Sequence, residues 1–536
     1  MKIAAEPTVI FMEKAMKKII VFAVVIAALL FGSYYGMGLV TERTLKKNIV
    51  VINSSSGIFI DVKNYNRGFF ASNALLDWHL HIPQHVNKTQ DGQSNVVPAE
   101  DYNFQMPIEV QHGPVIFSSN GIHFGLGSAH SHVAIPESYV AQFSALFSDQ
   151  SIKPVLDFNL FVSYLNNSHL KINIPPFKLF AKQGTDQVDW KGLDGDVNLS
   201  SNMGNISARF NIDGLNVSKD KTKAVMGKVI SNLNLNKSSK GLYLGEASLQ
   251  LPSLLVTDAA NAKRFEIQSC QLESGSSVQQ DLFNSYFKMS LAKVVAEEKT
   301  YGPFAFEILI KNLDANVLAE INDQMNNVQQ GSEADRQKAL FAIVPELPKL
   351  LSQGAQLEIS KFSLVMPEGN LDGNLTISIP KGNTGNAFQL IQKIQGQAQI
   401  KLPVAVVRNL LMVNIKQDLQ HSSSLQQTMT EEINKKNAPT NEPVASTAPH
   451  DATNPVEQKT VVAEEGVVVT PSTISAPLTA EQQEAEVLAK ANQKLSALEQ
   501  AGLLVVQDKN YVIDFNLNQG QLSINGKPFS QSMFQF

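Results

Sequence analysis

From Phe70 onward, apolar and polar residues alternate with a period of two. Phe70, Ala74, Leu76, Trp78, Leu80 and Ile82 fall on one side of an extended segment, and Asn73, Asp77, His79 and His81 fall on the other. The alternation returns at Val197 and Leu199, at Ile206, Ala208, Phe210 and Ile212, at Leu375, Ile377 and Ile379, and at Tyr511, Ile513, Phe515 and Leu517. Between such runs lie Asn202-Met203-Gly204-Asn205 and Asn518-Gln519-Gly520, rich in residues that tolerate the positive φ of tight turns. The pattern predicts antiparallel strands joined by short hairpins, apolar on one face and wet on the other. The expected fold class is α+β and β-rich: an extended antiparallel sheet with a few packing helices, preceded by one N-terminal transmembrane helix.

Two other patterns interrupt the alternation. Residues 19–40, IIVFAVVIAALLFGSYYGMGLV, carry no charge, and a run of about twenty apolar residues is what a helix needs to cross a bilayer. Lys17 and Lys18 before it nearly balance Arg43, Lys46 and Lys47 after it. A long following domain can nevertheless be translocated largely regardless of charge. A cleaved signal peptide is the rival reading, with small residues at Gly36-Met37-Gly38, but no clear A-x-A site follows. An uncleaved anchor is therefore expected, and MKKIIVFAVV from Met16 reads as an export start.

Helical patterns occupy 333–351, where Pro345 and Pro348 must interrupt them, the stretch VAVVRNLLMVNI after Pro403, and Ala480 to Ala501. The last has a capping-box spacing at Thr479 and Gln482 and a terminating Gly502. Residues 421–478 are dominated by Ser, Thr, Pro, Asn and Glu, a composition that predicts a disordered insertion. The expected organisation is a short cytoplasmic segment 1–18, an anchor 19–40, a β-rich periplasmic region 41–420, the insertion 421–478, and a C-terminal helix and hairpin 479–536 that complete the fold.

At 536 residues the chain can bury a large core. The net charge of −5 is spread along it with no basic block, which argues against nucleic acid as a partner. A single cysteine, Cys270, precludes an intramolecular disulfide and a cysteine-based zinc cluster. There is no GxSxG elbow, no P-loop and no GxGxxG after a strand. No cofactor is expected and no catalytic residue stands out.

Four motifs remain: YNRGFFAS at 65–72, VQHGPV at 110–115, IKNLDANVLAEIN at 310–322 and GQLSINGKPF at 520–529. In this order they resemble the YdgA-like family of bacterial membrane-anchored proteins of unknown function. The resemblance implies a single-pass inner-membrane protein of a Gram-negative bacterium with its bulk in the periplasm, and it supplies no catalytic residue. Its motif residues here are Tyr65, Arg67, Gly68, Phe69, His112, Gly113, Pro114, Asn525 and Gly526.

Read physically, Gly68 suits a bulge or corner that turns Phe69 and Phe70 to opposite faces and calls for a positive φ. Arg67 then pairs with a carboxylate or caps carbonyls, or else binds an anion or lipid headgroup near the anchor. His112 belongs to a turn at Gly113-Pro114. His79 with His81, and His130 with His132, have the i, i+2 spacing of converging imidazole ligands, but no third ligand stands at a recognised spacing, so a solvated sheet face is expected. Two functions of different class follow. One is an envelope binding or scaffold protein with a lipid-like ligand or protein partner on its sheet. The alternative is an envelope hydrolase or metal-dependent enzyme using the His-rich strands. A continuous apolar groove favours the first, and a closed pocket of convergent His and carboxylates favours the second.

Overall fold

The computed structural model describes residues 7–55, 58–82, 85–88, 94–118, 121–296, 298–328, 341–382, 387–419 and 480–529. The chain divides into two units, one running to Lys401 and including Asp514–Phe529, the other built from Leu402–Ile513.

The first unit is a long antiparallel meander. Ile58–Arg67 pairs with Ala71–Ile82, which pairs in turn with Glu100–His112, Gly127–Ala134, Val155–Val162 and Ser168–Ile174 in succession. The sheet continues through Leu193–Leu199, Asn205–Ile212, Val229–Lys237 and Tyr243–Asp258. It then adds Lys263–Gln279, Leu282–Ala296, Phe304–Asp314, Gln356–Met366 and Gly369–Ser378. Some neighbouring strands are joined by tight turns, whose residues supply the required backbone; others are joined by a side hairpin, as between Ser168–Ile174 and Leu193–Leu199, or by a helix, as between Gly127–Ala134 and Val155–Val162. Asn202 and Met203 sit at φ 58° and 54°, and Asn525 and Gly526 at 50° and 76°. Two successive positive φ values are those of a type I′ turn, whose twist matches the hairpin it closes.

The predicted alternation holds over part of Ala71–Ile82 and fades along it. Ala74 and Leu76 are buried, Trp78 is half-buried and stacks on Phe104 at 5.7 Å, and Leu80 and Ile82 are exposed. Phe70 lies before the strand and is exposed.

A helix, Pro7–Ser55, precedes the sheet. The expected anchor at 19–40 lies on it, and the side chains of 19–24 and 27 fall outside the described residues. Among the described residues no helix is long and apolar enough to cross a membrane. The second half of the helix packs on the sheet: Ile49 joins Ile60, Ala74, Leu76, Met106, Ile108 and Val110 in one cluster, with Leu45 against it. Asn53 fastens its end, since its Nδ2 donates to the Ile60 carbonyl at 2.8 Å and its Oδ1 accepts from the Ile60 amide at 2.7 Å. Farther along, Ala315 and Ala319 of helix Ala315–Val328 pack on Leu242 beside Leu244, Val278 and Phe283.

The segment 333–351 is described only from residue 341. As its two prolines predict, it is broken, into a single 3₁₀ turn at Val344–Glu346 and the short helix Leu347–Leu351. In the second unit the helix at 404–419 and helix Ala480–Gln500 share a core of Ile415, Val487 and Ala491. Tyr511 fills a second cluster with Leu495 and Leu504. Its hydroxyl donates to Glu499 Oε1 at 2.5 Å, and burial together with that carboxylate pushes its pKa up to about 12. Thr479 and residues 421–478 lie outside the described residues.

Candidate functional site

The residues of the first two motifs, 65–72 and 110–115, gather where the N-terminal helix meets the sheet. Gly38 on the helix faces the His112 ring, and a Cβ there would stand 2.6 Å from His112 Cε1. His112 and Ser72 are both fully buried, with Ser72 Oγ 3.0 Å from His112 Nε2. Such burial denies any substrate access to the pair. Burial also pushes the His112 imidazole below its ordinary value, outweighing the favourable influence of the Tyr34 backbone and reinforced by the charge of Arg67, and His112 Nδ1 has no hydrogen-bond partner among the described residues.

Gly113 adopts φ 131°, and a Cβ on it would lie 2.0 Å from the Tyr34 ring. Tyr34 Oη donates to the Val115 carbonyl at 2.6 Å, so the HGP turn and the helix hold each other. Arg67 Nη1 reaches Glu42 Oε2 at 3.3 Å, and its guanidinium lies 5.2 Å from the Tyr35 ring centroid. Lys46 sits over Tyr65 at 5.9 Å.

Two expectations about the corner need correction. Gly68 is outside the left-handed region; glycine is required because a Cβ would meet the Ala71 carbonyl oxygen at 2.3 Å. Phe69 and Phe70 do not part to opposite faces, because their rings pack edge-to-face at 4.8 Å and both contact Tyr34, at 6.1 and 4.8 Å. The helix supplies the apolar surface that draws both rings to one side.

The histidines are arranged by strand register. His79 faces Asn103, His81 faces Asp101, His130 faces Asn159 and His132 faces Asp157. Each Nδ1 donates to the oxygen of its direct cross-strand partner, at 2.6, 2.7, 2.8 and 2.7 Å respectively. His169 repeats the device with Asn198 at 2.6 Å, a pair the sequence pattern did not single out. Among the described residues no three His, Cys, Asp or Glu side chains gather as metal ligands. Asp77 is buried rather than wet, because Lys63 lies 2.8 Å from its Oδ2. It shares with Asn103, Gln105, His132 and Glu137 the wall of a cavity of about 590 Å³.

The other face of the same strands is predominantly apolar, interrupted by Ser131, Ser231 and Ser274. Strand register aligns Val110, Ala129, Leu160, Leu170, Val197, Ala208, Leu233 and Ala247 in one transverse row. Beside it run Phe158, Ile172, Gly195, Phe210, Ser231, Leu249, Leu272 and Met289. The row begins under the N-terminal helix, where Val110 is buried. From Leu170 to Ala247 in the first row and from Ile172 to Met289 in the second, the apolar members belong to none of the buried clusters and stay partly exposed. Between Val155 and Asp314 the only buried hydrophobic side chains among the described residues are Leu179 and Leu242.

At one margin of this face an apolar cavity of about 400 Å³ is lined by Val133, Ile135, Leu156, Ile174, Phe177 and Trp190. The buried Trp190 Nε1 has no hydrogen-bond partner there. Cys270 lies on the same face opposite Leu251 and Leu291, its thiol pushed up by burial.

A family model described as a bacterial protein of unknown function, DUF945, matches residues 16–532. The chain belongs to this family. No curated protein and no solved structure matches it. A DUF945 chain therefore brings no assigned chemistry with its membership, and function must be read from the geometry. That geometry contains features the sequence alone left unmarked: Tyr34, Gly38 and Glu42 as partners of the motifs, Ser72 beneath His112, and the continuity of the apolar rows. The alternation was the available signal for the rows, but only register shows that they align from strand to strand.

Proposed function

We propose that this DUF945 protein is an envelope binding protein of a Gram-negative bacterium, held in the inner membrane through residues 19–40 with its bulk in the periplasm, and that its sheet carries a lipid-like ligand. The uncharged run at 19–40 and the resemblance of its motifs to YdgA-like proteins support the location. The observation that carries the ligand reading is the pair of adjacent rows, Leu170 through Leu233 to Ala247 and Ile172 through Phe210 to Met289, whose apolar members are partly exposed and outside every buried cluster. Exposed apolar area costs about 25 cal/mol per Å², and each acyl methylene is worth up to about 0.8 kcal/mol when fully buried and less when laid on an open face. A chain of a dozen or so methylenes would thus bind along these rows without any polar contact in the strands. Large exposed apolar surfaces are commonly where proteins bind their partners, which supports this reading.

Site-specific photocrosslinking in cells tests the reading. Benzoylphenylalanine replacing Leu233 is expected to capture radiolabelled phospholipid, whereas the same group replacing Asn232, on the opposite face, captures none. Equal capture at both positions, or capture at neither, overturns it.

A further inference from the structure

The loops nearest the N-terminal helix carry a group of strongly exposed apolar side chains. Phe117 and Ile122 face each other across the hairpin Ile116–Ser118 and Gly121–His123 and are 65% and 61% exposed. Phe124 is 65% exposed and Leu165 is 77% exposed. Phe70 and Tyr35 stand at 55%, beside Phe31 on the helix at 56%.

These residues come from separate loops that are tied around one stretch of helix. Tyr34 Oη donates to the Val115 carbonyl and Tyr164 Oη to the Pro114 carbonyl, while Thr41 Oγ1, whose shorter bond goes to the Met37 carbonyl at 2.8 Å, lies 3.3 Å from the Leu126 carbonyl. The Leu126 amide donates to Val162 at 2.8 Å, which holds the third loop in place. At the opposite ends of the same strands the exposed residues include His81, Glu100 and Asp101. Phe59, Leu80, Ile82 and Tyr102 are exposed at that end as well, so what sets the helix end apart is that its apolar loops pack against the helix at Tyr34 and Thr41.

Residues 19–40 at about 1.5 Å per residue make a rod of about 33 Å, close to the roughly 30 Å of a bilayer core. The last part of that rod, at Tyr34 and Gly38, is already in contact with the loops at Gly113, Val115 and His112. If the run occupies the membrane, these loops stand at the depth of the bilayer surface. Aromatic rings are favoured at that depth, and Arg67 over Tyr35 places a cation beside them.

We infer that the loops bearing Phe69, Phe70, Phe117, Ile122, Phe124 and Leu165 form a collar that inserts into the outer interface of the phospholipid bilayer, seating the sheet directly on the membrane. The inference rests on the proposed anchor, and the two fail differently. The collar also fixes which end of the sheet is near lipid, so the open apolar face starts at the membrane surface.

Full-length protein with Cys270→Ser and one new cysteine, at Phe117→Cys, Phe124→Cys, Leu29→Cys or Asp101→Cys, is labelled with an environment-sensitive fluorophore and reconstituted into phosphatidylethanolamine–phosphatidylglycerol vesicles. Spin-labelled phospholipid in the vesicles quenches fluorophores that contact the bilayer. Blue-shifted, quenched emission at 117, 124 and 29 with unshifted, unquenched emission at 101 is the expected result. Quenching at 29 without quenching at 117 and 124 leaves the anchor standing and overturns the collar. Absence of quenching at 29 overturns the anchor and the collar with it. Equal quenching at all four positions also overturns the collar, because it removes the difference between the two ends.

Discussion

The strands at Ala71–Ile82 and Glu100–His112 and those at Asn205–Ile212 and Val229–Lys237 share one sheet and one alternation, yet they end in different environments. In the first pair Leu76 and Val110 are buried at 5% and 3% exposure under the N-terminal helix. In the second pair Ala208 and Leu233 keep the same face and the same spacing, belong to no buried cluster and remain partly exposed. The difference shows that alternation specifies an apolar face but not what covers it. Where a helix covers it, the face contributes to stability. Where nothing does, it is available to a ligand.

The comparison can be broken first at the helix contact. Gly113→Val places a β-branched side chain at φ 131° and drives its Cβ toward the Tyr34 ring. A loss of about 3 kcal/mol or more in chemical denaturation is expected. A variant as stable as the parent would show that the helix is not held there.

A paired truncation sharpens it. Leu76→Ala in the covered region is expected to cost about 3 kcal/mol, whereas Leu233→Ala on the open face costs about 1 kcal/mol or less, because no covering element loses contacts. Equal losses measured by urea unfolding would mean that the open face is covered in solution.

The covered region should also respond to acid. The folded state disfavours the protonated His112, so the unfolded chain binds the proton first. The stability contributed by the neutral ring is fully present above the ordinary histidine value of about 6.5. It is lost as pH falls through that value toward the lowered folded one, with a slope of up to about 1.4 kcal/mol per pH unit. Unfolding midpoints measured across this window should fall with acid in the parent and show a weaker dependence in His112→Gln.

The smallest effect belongs to the wet face. His79→Ala with His81→Ala removes two exposed cross-strand hydrogen bonds, and a change within about 0.5 kcal/mol is expected, unaltered by chelator. A chelator-sensitive midpoint that the double variant abolishes would restore the metal-enzyme reading.

Much of the sheet was legible because a period of two and Asn- and Gly-rich turns act locally. The strand that opens at Ala71, the hairpin closed by Gln519 and Gly520, and the helix at Ala480–Gln500 all follow from residues within a few positions of one another. The candidate site was legible only in fragments. The sequence displays Gly68 and Gly113, but their need for glycine comes from Ala71 and from Tyr34, the latter far away along the chain. Asp77 was placed with the wet histidines by parity, and only its Lys63 partner explains how its carboxylate is buried.

By itself, then, the sequence determined that one side of the chain's strands is apolar and that the uncharged run 19–40 precedes them, since both are statements about residue order and periodicity. The tertiary structure decided which part of that apolar side is covered, which loops crowd the helix, and that the rows align from Val110 to Met289. The physical reason is that cover and register depend on partners many strands apart, which the alternation within any single strand does not specify.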